Sequence, residues 1–194
     1  MLVKKLLARF INDKVLQQAE HCYITTDTIS VAALQLFMSK VGSKCKVHIV
    51  TGLNLPTSPE VLTRILTNYR DRIKLRIYTQ GTIHAKIFAF DLPYRKRLAF
   101  IGSGNFTLEG LSENDELAWQ ISAEKEVEDL KSWFVRYFEY SVDLAPEIVT
   151  AYEPVYQAAL ERLETSDRER KQFIDSITGL FNADPAADVY HSDR

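Results

Sequence analysis

The sequence predicts an α/β fold: a mixed, largely parallel β-sheet flanked by helices, followed by a C-terminal helical segment. Three observations carry that expectation. Apolar strand-like runs alternate with helix-period stretches through the first 80 residues. Four more strand candidates then follow in close succession, and from Glu124 the apolar spacing becomes helical. A chain of 194 residues is long enough to bury a sizeable core.

In chain order, residues 2–20 read as one amphipathic helix and "HCYITT" as a short buried strand. Asp27 or Ser30 can cap the helix "VAALQLFMSKV", which Gly42 stops. "CKVHIVTG" is strand-like. Ser58–Pro59–Glu60 starts a helix with Val61, Ile65 and Tyr69 on one face. "IKLRIYT", "TIHAKIFAF", "RLAFIGS" and "DELAWQIS" are the four clustered strands. Helices follow in "EVEDLKSWFVRYFEY", "PEIVTAYEPVYQAALERLE" and "RERKQFIDSITGLF", with Pro154 expected to break the second or begin another. The expected organisation is a core over 1–123, a helical extension over 124–182 packed on the core or a dimer, and a flexible tail over 183–194.

Composition narrows the function classes. With 46% apolar and 26% charged residues and no transmembrane-length apolar run, the chain reads as soluble and globular. Charges interrupt the apolar start and no small-residue cleavage site follows it, which argues against a signal peptide. Cys22 and Cys45 form no CxxC pair and lie in buried strands, so they read as small core hydrophobes in a reducing, cytoplasmic setting. Residues 1–123 hold 16 Lys/Arg against 10 Asp/Glu, and residues 124–194 hold 8 against 16. The first part suits a polyanion and the second repels one, unless the two faces pair with each other.

The stretch "GTIHAKIFAFD" sets His84 and Lys86 two apart in an otherwise apolar strand, on one face with Phe88 and Phe90. A buried unpaired charge is costly, so the pair belongs at one end of the strand beside an anion. An isolated HxK is common by chance and fits a Lys at a sheet edge beside a core histidine. Here "GSGN" follows at Gly102–Asn105, offering backbone N–H groups, the Ser103 hydroxyl and the Asn105 amide to a phosphate. Glu116, eleven residues on, alternates away from Leu117 and Trp119 and can reach the same pocket, or else sits as an edge-strand charge.

"HAKIFAFD" and "GSGN" resemble the HxK-x4-D and GSxN motifs of the phospholipase D superfamily, through His84, Lys86, Asp91, Gly102, Ser103 and Asn105. Glu116 resembles the acidic residue that follows the motif in family nucleases. The ten residues between Asp91 and Gly102 exceed the family spacing and read as a longer hairpin carrying Arg95, Lys96 and Arg97. The single motif and the Asn105–Glu116 spacing resemble catalytic domains of phospholipase D-type restriction endonucleases.

The chemistry that these residues permit is nucleophilic. Neutral imidazole attacks phosphorus well, so His84 is the candidate nucleophile. Glu116 can hold its other ring nitrogen, and Lys86, Ser103 and Asn105 can neutralise non-bridging oxygens. No carboxylate or Cys/His cluster has ligand spacing, so the expectation is a route without metal or cofactor. The resemblance implies a second motif across the pocket. With one motif per chain, that implies a homodimer with a composite active site. DNA is the expected substrate, with Arg64, Arg70, Arg72, Lys74, Arg76, Arg95, Lys96 and Arg97 as candidate backbone contacts, and either a separate specificity domain or subunit reads the sequence or cutting has little sequence preference. The alternatives are a lipid phosphodiesterase, against which the acidic helices argue, and a non-catalytic dimerisation module.

Overall fold

The computed structural model describes residues 1–12, 14–53 and 57–182. The elements are β1 (Leu2–Val3), α1 (Leu6–Asn12), α2 (Val15–Gln18), β2 (His21–Thr26), α3 (Val31–Lys40), β3 (Lys46–Thr51), α4 (Pro59–Asn68), β4 (Ile73–Ile77), β5 (Lys86–Asp91), β6 (Arg97–Gly102), β7 (Ala118–Ile121), α5 (Glu124–Glu139), β8 (Val142–Asp143) and α6 (Pro146–Asn182). One sheet runs in the order β1-β7-β6-β5-β2-β3-β4-β8. It is mixed, as the sequence predicts, with helices against both faces. Its balance is antiparallel: among the described residues only β2–β3 and β3–β4 pair in parallel. The β5–β6 hairpin forces antiparallel pairing of those two strands, because a parallel pair needs a crossover of about a dozen or more residues.

Local signals behave as their chemistry requires. The Ser30 hydroxyl accepts from Ala33 N at 3.2 Å and caps α3, and Ser58 caps α4 with Pro59 in its first turn. The predicted helix over 2–20 is three pieces instead. Leu2 and Val3 pair with Trp119 and Ala118, and Lys14, at φ 56°, separates α1 from α2. Pro154 lies within α6 and does not break it. Tyr152, buried beside it, packs into the core and offsets the lost backbone bond.

Met1–Tyr156 forms one compact unit. On one sheet face Phe10 inserts among Phe88, Phe90 and Phe100 at centroid distances of 5.5, 5.2 and 5.0 Å, joined by Leu34 and Phe37 of α3 and by Val61 and Ile65 of α4. On the other, α5 sets Val127 and Phe134 over Ile87, Ala89, Ala99 and Val50. Continuing that second face outward, Leu2, Ile101 and Trp119 form a cross-strand row that stays exposed, with Trp119 55% accessible.

Because α5 belongs to this unit, the charge asymmetry of the sequence is diluted. Met1–Tyr156 holds 19 Lys/Arg and 18 Asp/Glu, close to neutral rather than strongly basic. The second unit begins at Gln157 and is helical to Asn182. The expected tail over 183–194 lies outside the described residues. Cys22 and Cys45 are free and buried with their sulfurs 3.5 Å apart, and burial pushes the Cys22 thiol up. No helix among the described residues is long and apolar enough to cross a membrane.

Candidate active site

Three chain segments converge at one end of the sheet, and strand register is what brings them there. Thr25 of β2 pairs with Ile87 of β5, and Lys86 pairs with Gly102 of β6. The carboxyl end of β2, the amino end of β5 and the loop after β6 therefore meet. These are the segments that carry Asp27, His84–Lys86 and Ser103–Asn105.

Asp27 lies at the centre of the group, its side chain 2% exposed. The Lys86 ammonium donates to Asp27 Oδ2 and, at 2.9 Å, to the carbonyl of His84. His84 Nδ1 is 3.4 Å from the same carboxylate oxygen. His84 does not lie inside a strand as the sequence suggested. β5 begins at Lys86, and the His84 side chain is 78% exposed on the preceding loop. Lys86 is 12% exposed and faces the Phe88–Phe90 side. A buried ammonium is tolerated there because Asp27 offsets it.

Asn105 is held by its carbonyl end. Asp27 N donates to Asn105 Oδ1 at 3.2 Å, and Thr26 Oγ1 lies 3.2 Å from that oxygen. Thr26 also accepts from Phe106 N at 2.9 Å, tying the loop after β6 to the end of β2. The Asn105 amide keeps its two N–H donors for another acceptor. The turn closes tightly because Gly104 and Gly110 cross: a Cβ on Gly104 would sit 2.2 Å from the Gly110 carbonyl oxygen.

Ser103 and Glu116 occupy the flank of this group. The Ser103 hydroxyl donates to Glu116 and accepts from Leu117 N at 3.2 Å. Glu116 is thus engaged by Ser103, and the carboxylate beside His84 is Asp27. Sequence reading had Asp27 only as a helix-cap candidate. A charged residue closing an apolar strand in "ITTD" was the one hint of it.

Several predicted residues lie elsewhere. Asp91 is five residues along β5 from Lys86, about 17 Å away at strand rise. There it accepts from Lys131 at 2.8 Å and from Tyr23 at 3.1 Å, with Arg97 3.6 Å away. Burial, reinforced by the Asp91 charge, pushes the Tyr23 phenol up. Arg95 and Lys96 lie past Asp91 in the hairpin, and Arg97 also pairs with Glu128. Arg72 precedes β4 and bonds the Gly42 carbonyl at 2.7 Å, level with the start of β2. Arg76 bonds Asp143 and the Phe138 carbonyl, and Lys74 lies 3.7 Å from Asp143. Of the predicted strand and hairpin cations Arg72, Lys74, Arg76, Arg95, Lys96 and Arg97, only Arg76 approaches the site end of the sheet, and its guanidinium is engaged, while Arg64 pairs with Glu60 on α4 and Arg70 lies between α4 and β4. Among the described residues, His21 and His48 stack with Tyr23 on the α5 face, where burial lowers the His48 pKa. No three His, Cys, Asp or Glu side chains of the described residues converge as a metal group.

The arrangement presents an exposed imidazole backed by a carboxylate, with an ammonium and an amide donor alongside. That set can attack a phosphorus centre and hold its oxygens.

A family model described as cardiolipin synthase, PLD-like domain, matches residues 14–138. No curated protein matches the sequence. Among solved structures, the chain resembles Nuc from Salmonella typhimurium, a phospholipase D family member, at TM-score 0.54 and 18% identity, over 74% of this chain and 97% of that one. NucT from Helicobacter pylori matches at TM-score 0.50 and 17% identity, over 74% and 97%. The phosphatidylserine synthase of Haemophilus influenzae Rd KW20 matches at TM-score 0.56 and 13% identity, over 88% of this chain but 46% of that one. At these identities the likeness is one of fold. The family match spans well over half of the sequence and includes both motifs, so the chain belongs to the phospholipase D-like domain family.

Proposed function

We propose that this chain is a phosphodiesterase that hydrolyses DNA without a metal ion, through a phosphohistidine formed at a site shared by two copies. The observation that carries the reading is the convergence of His84, Lys86 and Asn105 around buried Asp27, with the imidazole exposed. The fold likeness to two proteins whose length it covers almost entirely favours a nuclease over a larger lipid enzyme.

In this mechanism His84 Nε2 attacks phosphorus and the bond to the leaving oxygen breaks. The imidazolium of a second copy's His84 protonates that oxygen. The same imidazole then takes a proton from water, whose oxygen attacks phosphorus and expels the first histidine. Each bond made is matched by one broken, and both rings return to their starting states. The cycle starts with one ring neutral and the other protonated. Lys86 and the Asn105 amide hold the non-bridging oxygens as charge builds. Glu116, bound by Ser103, keeps the turn after β6 in register with β7 and can release the Ser103 hydroxyl to a phosphate oxygen.

The near-neutral charge of Met1–Tyr156 and the dispersed cations leave backbone contacts for DNA few, which suits a nuclease subunit of a restriction or other DNA-defence system that depends on a separate domain or subunit for recognition. A second reading, hydrolysis or exchange of a lipid phosphodiester, is favoured by the family description and by the fold of the phosphatidylserine synthase.

Cleavage of plasmid and single-stranded DNA in EDTA, with His84→Ala as control, tests the reading. Cutting that persists in EDTA and vanishes in the variant is expected. Turnover of phospholipid vesicles with DNA left intact would instead favour the lipid reading. Wild-type and His84→Ala chains mixed into heterodimers should be nearly inactive, and substantial activity there would refute the shared site.

A further inference from the structure

We propose that Asp27 is the positioning residue of the site, fixing the His84 tautomer and aiming Lys86, the role that sequence motifs assign to Glu116. The inference rests on the phosphodiesterase reading, and it names a residue that neither motif contains.

Asp27 is over-determined for a structural role. Its backbone N–H is bonded to Asn105 Oδ1 and its carbonyl accepts from Thr51 Oγ1 at 3.3 Å, so the main chain is fixed on both sides. It is not needed as a helix cap, since Ser30 already caps α3. The carboxylate is nevertheless buried, with Oδ2 receiving Lys86 and Oδ1 without any hydrogen-bond partner. Buried carboxylate oxygens are rarely left without a donor. His84 Nδ1 stands 3.4 Å from Oδ2 on an exposed ring, close enough that a small swing brings an Nδ1–H into bonding distance of the carboxylate. Glu116 is engaged by the Ser103 hydroxyl instead.

An Nδ1–H donated to Asp27 leaves Nε2 as the unprotonated, nucleophilic nitrogen. The same carboxylate offsets the positive charge that the ring acquires when its bond to phosphorus forms. Lys86 bridges Asp27 and the His84 carbonyl, so one carboxylate sets both the direction of the ammonium and the path of the loop that carries the imidazole.

The test is Asp27→Asn, compared with wild type and Glu116→Gln. Two readouts are taken: EDTA-resistant hydrolysis of bis(p-nitrophenyl) phosphate, and the His84 ring tautomer by 15N NMR. The expected result is a fall in kcat of roughly 10²-fold or more in folded Asp27→Asn, with KM changed far less. The His84 ring should be Nδ1-protonated in wild type and Glu116→Gln, and largely Nε2-protonated in Asp27→Asn. A folded Asp27→Asn that keeps wild-type kcat, or a tautomer that follows Glu116→Gln instead, overturns the inference. If Asp27→Asn fails to fold, an Nε2-protonated ring in the wild-type protein overturns it alone. A wild type that does not hydrolyse the ester sinks the phosphodiesterase reading, while the tautomer still judges Asp27.

Discussion

Lys86 and Asp27 form a buried pair in which each member screens the other from a low-dielectric surround. Removing one partner is far costlier than removing both. Lys86→Met leaves the Asp27 carboxylate, 2% exposed, without its cation, and should destabilise the fold by about 3–5 kcal/mol. Lys86→Met with Asp27→Asn removes both charges and should recover much of that loss in thermal unfolding, yet remain inactive. Additive destabilisation in the double variant would mean that the two groups do not act as a pair. The same pair marks the limit of what single residues disclose. Lys86 was legible because a charge inside an apolar run is costly without a partner, whereas His84, expected inside the same strand, lies on the exposed loop before it. Asp27 lies 59 residues before Lys86, and only the β2–β5 register brings them together. No local pattern encodes that pairing.

The β5 strand carries two separate groups along its length: Lys86, of the proposed catalytic set, at one end and Asp91, which anchors α5, at the other. Asp91 takes both of its Lys131 contacts at 2.8 Å and the Tyr23 hydroxyl, so it fastens α5 to the far end of the sheet. Asp91→Asn should cost about 2 kcal/mol, lowering Tm by roughly 4–8 °C, and change turnover per folded molecule by less than about threefold. A variant with unchanged Tm but abolished turnover would return Asp91 to the active site. Elements built from local spacing were readable in advance. β2, β3, α3, α4 and α5 follow their apolar periods and caps, with Ser30 and Ser58 where capping chemistry wants them. Elements that depend on distant pairing were not. β1 exists because Leu2 finds Trp119, so the helix expected at the start is shortened. The antiparallel pairing of β5 with β6 follows from their short connection rather than from strand composition, and Pro154 sits in a helix that tertiary packing holds through it.

For the whole molecule, the strongest demand that the proposed mechanism makes is a second imidazole, because one ring cannot both attack phosphorus and protonate the leaving oxygen in the same step. The surface beside the site offers a way to supply it. Leu2, Ile101 and Trp119 continue the sheet face beyond α5, and Leu117 follows Glu116 directly; Leu2, Leu117 and Trp119 are each more than half exposed. Contiguous apolar surface of this kind, bordering Ser103 and Glu116, is costly in water and suits burial against a copy of itself across a two-fold axis. Trp119 makes no catalytic contact, so Trp119→Glu should fold normally, sediment as a monomer at concentrations where wild type is a dimer, and lose at least about 10²-fold of its turnover. Turnover should reappear in proportion to dimer as Trp119→Glu is concentrated. A wild type that stays monomeric while fully active, or a Trp119→Glu protein that remains dimeric, would remove this face from the interface and with it the argument for how a one-motif chain completes its site.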